Sequence, residues 1–199
     1  MIRDRLRTMG EGNDSFFHEY MEIPLKADEN GVNLLVLQCK NHILKPLHEK
    51  YGIDISDAST RKAVEEHNEV CRIIREIGDM RKERKPRITG YEFHVLTLAT
   101  YVAPKYLLID KLRETLEELK TRKPDDTEYR ARVAVVGSEV DDIGFIKVIE
   151  DTGAYVCADR FCFGSLPGRD VIELNDEEDA LTQLYRSYVE RGQCPRVMN

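Results

Sequence analysis

The sequence contains no tryptophan, and aromatic residues make up only 8% of its 199 positions. Proteins that stack single-stranded bases on aromatic side chains need more such residues, so this function is disfavoured. The formal net charge of −7 also argues against a phosphate-backbone binder, which needs a basic surface. No apolar run reaches the roughly 18 residues of a membrane-spanning helix, and the segment MIRDRLRTMGEG lacks the apolar stretch of a secretory signal. We therefore expect a cytoplasmic protein with neither nucleic-acid nor membrane partners.

Several motifs of familiar active sites are also missing. The chain has no CxxC pair, no HExxH, no GxGxxG turn, no P-loop and no GxSxG elbow. These absences disfavour a zinc ribbon, a thioredoxin-type site, a standard dinucleotide fingerprint and a serine hydrolase. The five cysteines are an odd number in a chain without an export signal, so we expect reduced thiols.

What is present predicts a folded, largely helical first part. Hydrophobic residues are 41% of the chain and charged residues 34%, which allows a packed core beneath solvated helices. A short strand is expected at EYMEIPL, residues 19–25, ended by Pro24. Apolar spacing, caps and prolines predict helices over 32–51, divided by Pro46, then from a Ser56 cap to about 83, over 91–101 after a Thr89 cap, and from Pro104 to about 121.

After Tyr129 the pattern changes to an α/β unit. The apolar run ARVAVVG, residues 131–137, is typical of a buried parallel strand, and AYVCAD, residues 154–159, predicts a second one. A helix from 142 to 151, ended by Gly153, joins them, and Asn175 is expected to cap a last helix. The predicted fold class is α/β, a helical N-terminal segment followed by an incomplete Rossmann-like parallel α/β unit. We divide it into a mainly helical connecting region, 1–128, and the start of an α/β lobe, 129–199.

The predicted sheet is too small to be stable alone. Parallel sheets carry helices on both faces and more than two strands. We therefore expect either a segment of a longer protein or a fold that a partner subunit completes.

Ligands of open α/β sheets bind at the carboxyl ends of the strands. GSEVDD, residues 137–142, and DRFCFGS, residues 159–165, follow the two predicted strands and should face one crevice. Acidic residues in GSEVDD would repel a phosphate and are expected to complement the helix dipole. The ligand itself is not identified by this placement.

Other polar and sulfur-containing residues have plainer interpretations. Cys39 and Cys71 lie in helical patterns and are expected to be buried, and Cys157 is expected in the core. Cys162 and Cys194 fall in irregular segments. Asn68 and Arg72 lie one turn apart and are expected to pair within their helix, and the histidines to take surface or core positions. The run RETLEELKTRK is expected to be a solvated helix face.

The order of several segments resembles a known family. NEVCRIIREIGDMRKERKPRITGYE, then RVAVVGSEVDD, then IEDTGAYVCADRFCFGS, then a helix and CPR, is similar to the 2-hydroxyacyl-CoA dehydratase and benzoyl-CoA reductase subunits. The resemblance runs from roughly residue 17 to the end. Its most specific parts are the NxxxR helix with PRITG and the run from Gly137 to Gly164.

The resemblance implies two α/β lobes around a [4Fe-4S] cluster held by cysteine thiolates, a sister subunit, and an ATP-hydrolysing activator that injects one electron. In the dehydratases that electron makes a ketyl radical from a 2-hydroxyacyl-CoA, so that water can leave, and in the reductases related chemistry attacks an aromatic thioester. The parent activity is thus a lyase or an oxidoreductase acting on acyl-CoA, and the resemblance implies an anaerobic setting.

Cys162 matches a cysteine of the family pattern and is the candidate cluster ligand, with a place beside the ligands as the alternative. Cys39 and Cys71 match helical positions and take no ligand role. One thiolate cannot hold a four-iron cluster, so we expect a partial subunit that is inactive as the isolated chain. The competing hypothesis is a non-catalytic Rossmann-like binding or assembly module, whose open sheet edge is an interaction surface. A thiol enzyme using Cys162 is a third, less supported alternative.

Overall fold

The computed structural model describes residues 17, 19–24, 26–137, 139–165 and 170–190, so Cys194 and the CPR segment lie outside the described residues. Within them no helix is long and apolar enough to cross a bilayer. In chain order the elements are α1 (Glu29–Gln38), a π-helical turn (Cys39–Leu44), α2 (Lys45–Tyr51), α3 (Asp57–Met80), α4 (Gly90–Val102), α5 (Lys105–Thr121), β1 (Ala131–Val136), α6 (Ile143–Asp151), β2 (Ala154–Arg160) and α7 (Ala180–Glu190).

The chain divides into two compact units. One contains the described residues up to Thr60 and those from Leu174 onward, and the other runs over Arg61–Glu173. These units are defined by contacts within the chain, and their boundaries differ from the predicted boundary between residues 128 and 129. The predicted boundary separates a connecting region from a lobe and stays a prediction.

The first unit has a small apolar core built from α1, the π-helical turn and α7. Val32, Val36 and Cys39 are buried there with Leu181. Pro46 divides the predicted long helix as expected. It lies in the first turn of α2, directly after the turn where the helix widens to π geometry, because proline supplies no N–H to the helical ladder.

The strand predicted over 19–25 is wrong for the described residues 19–24, which form no strand. The backbone of Glu22 finds its partner in a side chain instead. Its N–H donates to Gln38 Oε1 at 2.7 Å, and its carbonyl accepts from Gln38 Nε2 at 3.0 Å. An amide side chain carries both donor and acceptor groups, so Gln38 can satisfy the backbone of Glu22 as a neighbouring strand would.

The cap predicted for the last helix is also wrong. Asn175 Oδ1 accepts from Glu177 N–H, in the loop that precedes the helix. The first turn of α7 is capped by Asp179, whose carboxylate accepts from Thr182 N–H at 3.1 Å. Asn and Asp are both favoured as N-caps, and since the helix begins at Ala180, Asp179 is the residue placed to cap it.

The second unit has a three-helix core and an α/β layer. The buried apolar faces of α3, α4 and α5 meet in one cluster, to which Ile74, Ile77 and Leu119 contribute almost wholly buried side chains. Ser56 Oγ accepts from Ser59 N–H in the first turn of α3, and Thr89 forms a full capping box with Glu92 at α4, so both predicted caps are confirmed.

The α/β layer confirms the predicted fold class. β1 and β2 pair in parallel, with one irregularity in register between Val133 and Ala134, and α6 connects them. Gly153 ends the α6 connection at φ 86°, in the left-handed region that glycine enters without cost. Within the described residues the sheet has two strands, which matches an incomplete Rossmann-like unit.

Candidate functional site

The PRITG segment packs against β2 in the second unit and so has a structural role. Tyr155 in β2 donates its hydroxyl proton to the Ile88 carbonyl at 2.9 Å, and burial raises the pKa of this phenol. A Cβ at Gly90 would lie 2.6 Å from Val156 Cβ, so only glycine allows α4 to start against this strand. The Glu150 carboxylate accepts from the N–H groups of Gly90 and Val156. This segment therefore ties α4 to the edge of the sheet.

Asn68 has a role that differs from the predicted pairing with Arg72. Its Nδ2 donates to the Ile172 carbonyl at 2.8 Å, and its Oδ1 accepts from Ile172 N–H at 2.7 Å. Asn68 and Ile172 are both buried, so this pair of bonds satisfies a backbone segment that follows the loop after β2. Helical spacing places Asn68 and Arg72 on one face, but the Asn68 amide bonds to both backbone groups of Ile172 instead.

The two loops at the carboxyl ends of the strands come together as predicted. Gly137 N–H donates to the Arg160 carbonyl at 3.4 Å, just beyond the ends of β1 and β2. Phe161 is buried in a cluster with Val140, one residue from each loop. Asp142 caps α6 by accepting from Gly144 N–H at 2.8 Å, so at least this acidic residue complements the helix dipole.

Cys162 lies in a tight turn directly after β2. The turn closes where Gly164 N–H donates to the Phe161 carbonyl at 3.2 Å, with Cys162 at the first position inside it. The thiol is free and its residue half-buried. Phe161 before it is 1% exposed, and Phe163 after it packs edge-on against Tyr101 with ring centres 5.7 Å apart. Cys162 thus lies in the chain between two residues whose aromatic side chains are anchored.

A buried ion pair lies at the base of this turn. Arg81 Nη1 donates to Asp159 Oδ2 at 2.8 Å, and both side chains are 5% exposed. Ser165 closes the far side, since its N–H donates to Asp159 Oδ1 at 2.7 Å and its hydroxyl to Oδ2 at 2.8 Å. The Arg81 guanidinium lies 3.6 Å from the centre of the Phe93 ring, a cation–π contact. Asp159 is therefore satisfied on both oxygens.

His94 is a buried histidine beside the same turn. It is 3% exposed, and among the described residues neither ring nitrogen has a well-aligned hydrogen-bond partner, although the Val140 backbone acts on the ring. Its ring meets that of Phe161 edge-on at 5.7 Å. Burial lowers the pKa of His94, and the nearby Arg81 charge adds to this, while Asp159 and the Val140 backbone act in the opposite direction.

Three further cysteines of the described residues lie in helices or strands. Cys39 and Cys71 are buried as expected, and the Cys71 sulfur lies 3.3 Å from His67 Nε2 one turn earlier in α3. Cys157 is half-buried in β2 rather than in the core, because its thiol is directed along the sheet at the Val133 carbonyl. Among the described residues no group of three or more histidine, cysteine or acidic side chains is arranged to hold a metal ion.

The donor chemistry of the site fits one role for Cys162. A half-buried thiol at the end of a parallel strand can serve as one thiolate ligand of an iron–sulfur cluster. The described residues form no group of three or more ligand-type side chains here. A complete cluster at this place would therefore draw ligands from outside the described part of the chain.

These features define an α/β protein of the Rossmann-like class, with a cysteine turn at the carboxyl ends of its parallel strands. The family profile described as 2-hydroxyglutaryl-CoA dehydratase, D-component, matches residues 5–199, and the chain belongs to this family. The resemblance in the ordered segments is thereby confirmed. No curated protein matches the sequence significantly.

Sequence reasoning missed four residues around the turn. In the sequence, Arg81 continues the spacing of three or four residues set by Ile74 and Ile77, and Asp159 and Ser165 lie in the segment DRFCFGS without a pattern that marks them. His94 gave no signal, since a lone histidine in a helix is ordinary. A buried arginine in an apolar stripe is the one cue that could have indicated a distant acidic partner.

Proposed function

We propose that the chain is part of an iron–sulfur dehydratase component that removes water from a 2-hydroxyacyl-CoA. The support is the family match over residues 5–199 together with one geometric observation. That observation is the Cys162 thiol, presented at the carboxyl end of β2 by a turn whose base is a buried ion pair between Arg81 and Asp159.

Cys162 is proposed to ligate one iron of a [4Fe-4S] cluster, and the further ligands come from other residues or chains. When bound, the cluster supplies one-electron transfer to the acyl-CoA thioester, with the electron delivered by an ATP-hydrolysing activator. The chain's own residues would hold the thiol in place, because Phe161 before it is buried in the core of the second unit and Phe163 after it packs against Tyr101.

The D-component name supports action together with a partner subunit. We propose that this chain alone does not catalyse the reaction, because the one thiol at the described site cannot hold four irons. The family description supports a 2-hydroxyacyl-CoA as the substrate and supports dehydration rather than reduction as the reaction.

The test compares iron and sulfide in the anaerobically purified protein, together with whatever subunit copurifies. The variant Cys162→Ser is expected to lose most of its iron per chain, since serine is a poor replacement for a thiolate ligand. Cys157→Ser is the matched control. It removes a half-buried thiol from the same strand and should leave iron unchanged.

Equal iron in the wild type and Cys162→Ser would overturn the ligand assignment. A wild-type protein that, with its copurified subunit, binds no iron and turns over no acyl-CoA would favour the alternative of a binding or assembly module. A full four-iron cluster on the isolated chain would show that the count of available ligands is wrong.

A further inference from the structure

The turn that presents Cys162 is closed by contacts that do not involve Cys162 itself. Asp159 and Ser165 lie on either side of it, six residues apart, and are joined by two hydrogen bonds of 2.7 and 2.8 Å. These two bonds convert the segment between them into a closed loop. The position of the thiol is then set by how firmly the loop is closed.

The closure is anchored to the helical core by Arg81. Its Nη1 donates to Asp159 and its Nη2 to the Ser165 hydroxyl at 3.3 Å, so one guanidinium binds both ends of the loop. Arg81 follows α3 directly, and its own carbonyl accepts from Arg132 of β1 at 2.7 Å. The bonds are charge-assisted and shielded from water, which makes them stronger than surface contacts of the same kind.

The backbone is fitted to the same contacts. A Cβ at Gly164 would collide with the Asp159 carboxylate, so this position admits only glycine. Tyr101 adds a further contact, with its hydroxyl 3.5 Å from the Gly164 carbonyl. The Asp159 carboxylate therefore does more than neutralise Arg81, because it also packs closely against the backbone at Gly164.

We infer that Arg81, Asp159 and Ser165 are positioning residues, forming a clamp that holds the Cys162 turn in the conformation in which its thiol binds iron. The ligating part of this inference rests on the proposed function. The clamping part concerns the chain without metal and can be measured separately. None of the three residues is a ligand, and each acts through the turn.

The experiment measures the alkylation rate of each cysteine in the reduced, metal-free full chain, with iodoacetamide as probe and mass spectrometry as readout. Ser165→Ala removes the hydroxyl contacts but leaves the Arg81–Asp159 ion pair intact. We expect Cys162 to react about tenfold faster relative to Cys157, because the turn opens more often. Ser165→Thr restores a hydroxyl at this position and should return the rate to that of the wild type.

Asp159→Asn is the stronger variant and should accelerate Cys162 further, but it leaves Arg81 buried without its counter-charge. If it does not fold, Ser165→Ala decides alone. The matched control is Asp141→Asn, an exposed acidic residue in the loop after β1, which should leave the Cys162 rate unchanged. All folded variants are compared by their unfolding midpoints, so that global loosening is recognised.

Unchanged alkylation of Cys162 in folded Ser165→Ala and Asp159→Asn overturns the clamp, whatever the iron content. Faster alkylation that Ser165→Thr does not reverse overturns it as well. The ligating part is tested by iron per chain after anaerobic purification, which should fall in Ser165→Ala and recover in Ser165→Thr. If Cys162→Ser keeps its iron while Ser165→Ala accelerates alkylation, the clamp stands and the proposed ligand role fails.

Discussion

At the scale of single residues, two buried polar side chains of the second unit have opposite fates. Asp159 has both oxygens occupied, by Arg81 and Ser165, whereas the ring nitrogens of His94 have no well-aligned partner in the part of the chain that the structure describes. An unsatisfied buried donor or acceptor costs about 1–3 kcal/mol. His94 therefore lowers stability, and more so when it must carry a charge.

The His94 pKa lies below that of an unfolded histidine, about 6.5, because burial disfavours the charged ring. As pH falls through 6.5, the unfolded state takes up the proton first, so the free energy of unfolding decreases. Above that pH, His94 is neutral in both states and the effect vanishes. We predict that His94→Leu reduces the loss of stability between about pH 7.5 and about pH 5.5.

Chemical unfolding at the two pH values measures this effect. His48→Gln serves as the control, since His48 is an exposed residue whose ring contacts the Ile53 carbonyl rather than the core. It should retain the pH dependence of the wild type. An identical pH dependence in His94→Leu and the wild type would show that His94 is not held neutral by burial.

At the scale of elements, side chains take the place of backbone pairing at two points, one of which lies in the segment predicted to be a strand. Gln38 occupies the backbone of Glu22, and Asn68 occupies that of Ile172. In both cases one amide provides a donor and an acceptor to a single residue. These contacts span 16 and 104 positions of sequence, which is why spacing along the chain could not predict them.

The Asn68 contact gives a quantitative prediction. Asn68→Ala leaves the N–H and carbonyl of a buried residue without partners, so we expect the free energy of unfolding to fall by about 3 kcal/mol. Arg72→Ala, one turn further along the same helix and exposed, should change it by less than about 0.5 kcal/mol. Denaturant titration of the three proteins measures both values.

Equal effects of the two substitutions would contradict the contact seen here and favour the pairing within the helix. A loss confined to Asn68→Ala supports the view that the NxxxR pattern of this chain combines one structural residue with one exposed residue.

Local signals predicted most elements of the chain correctly. Ser56 and Thr89 fixed the starts of α3 and α4, and Gly153 the end of α6, because caps and left-handed positions depend on a few adjacent residues. The strand over 19–25 failed because β structure needs a partner that local pattern does not report. Asn175 failed because Asp179 offers the same cap chemistry four residues later.

The position of the candidate site could be predicted from the sequence, but the ion pair beneath the Cys162 turn could not. The rule for parallel strands brings the loops after β1 and β2 together, and Val140 and Phe161, one from each loop, belong to the same apolar cluster. The Arg81–Asp159 pair joins residues 78 positions apart, and no periodicity carries that information.

At the scale of the whole molecule, the described residues form two compact units, one of which contains the two-stranded parallel sheet and the Cys162 turn. The family match covers both units and places the chain in the D-component family. The family is therefore established, whereas the ligand role of Cys162 is a proposal, and activity is the property that depends on both.

The most direct test of the central claim is the turnover of a 2-hydroxyacyl-CoA by the component with its partner subunit, activator and ATP under anaerobic conditions. We predict that Cys162→Ser lowers turnover about 100-fold or more, in parallel with its iron, while Cys157→Ser stays near the wild type. Turnover and iron in Cys162→Ser within about twofold of the wild type would contradict it.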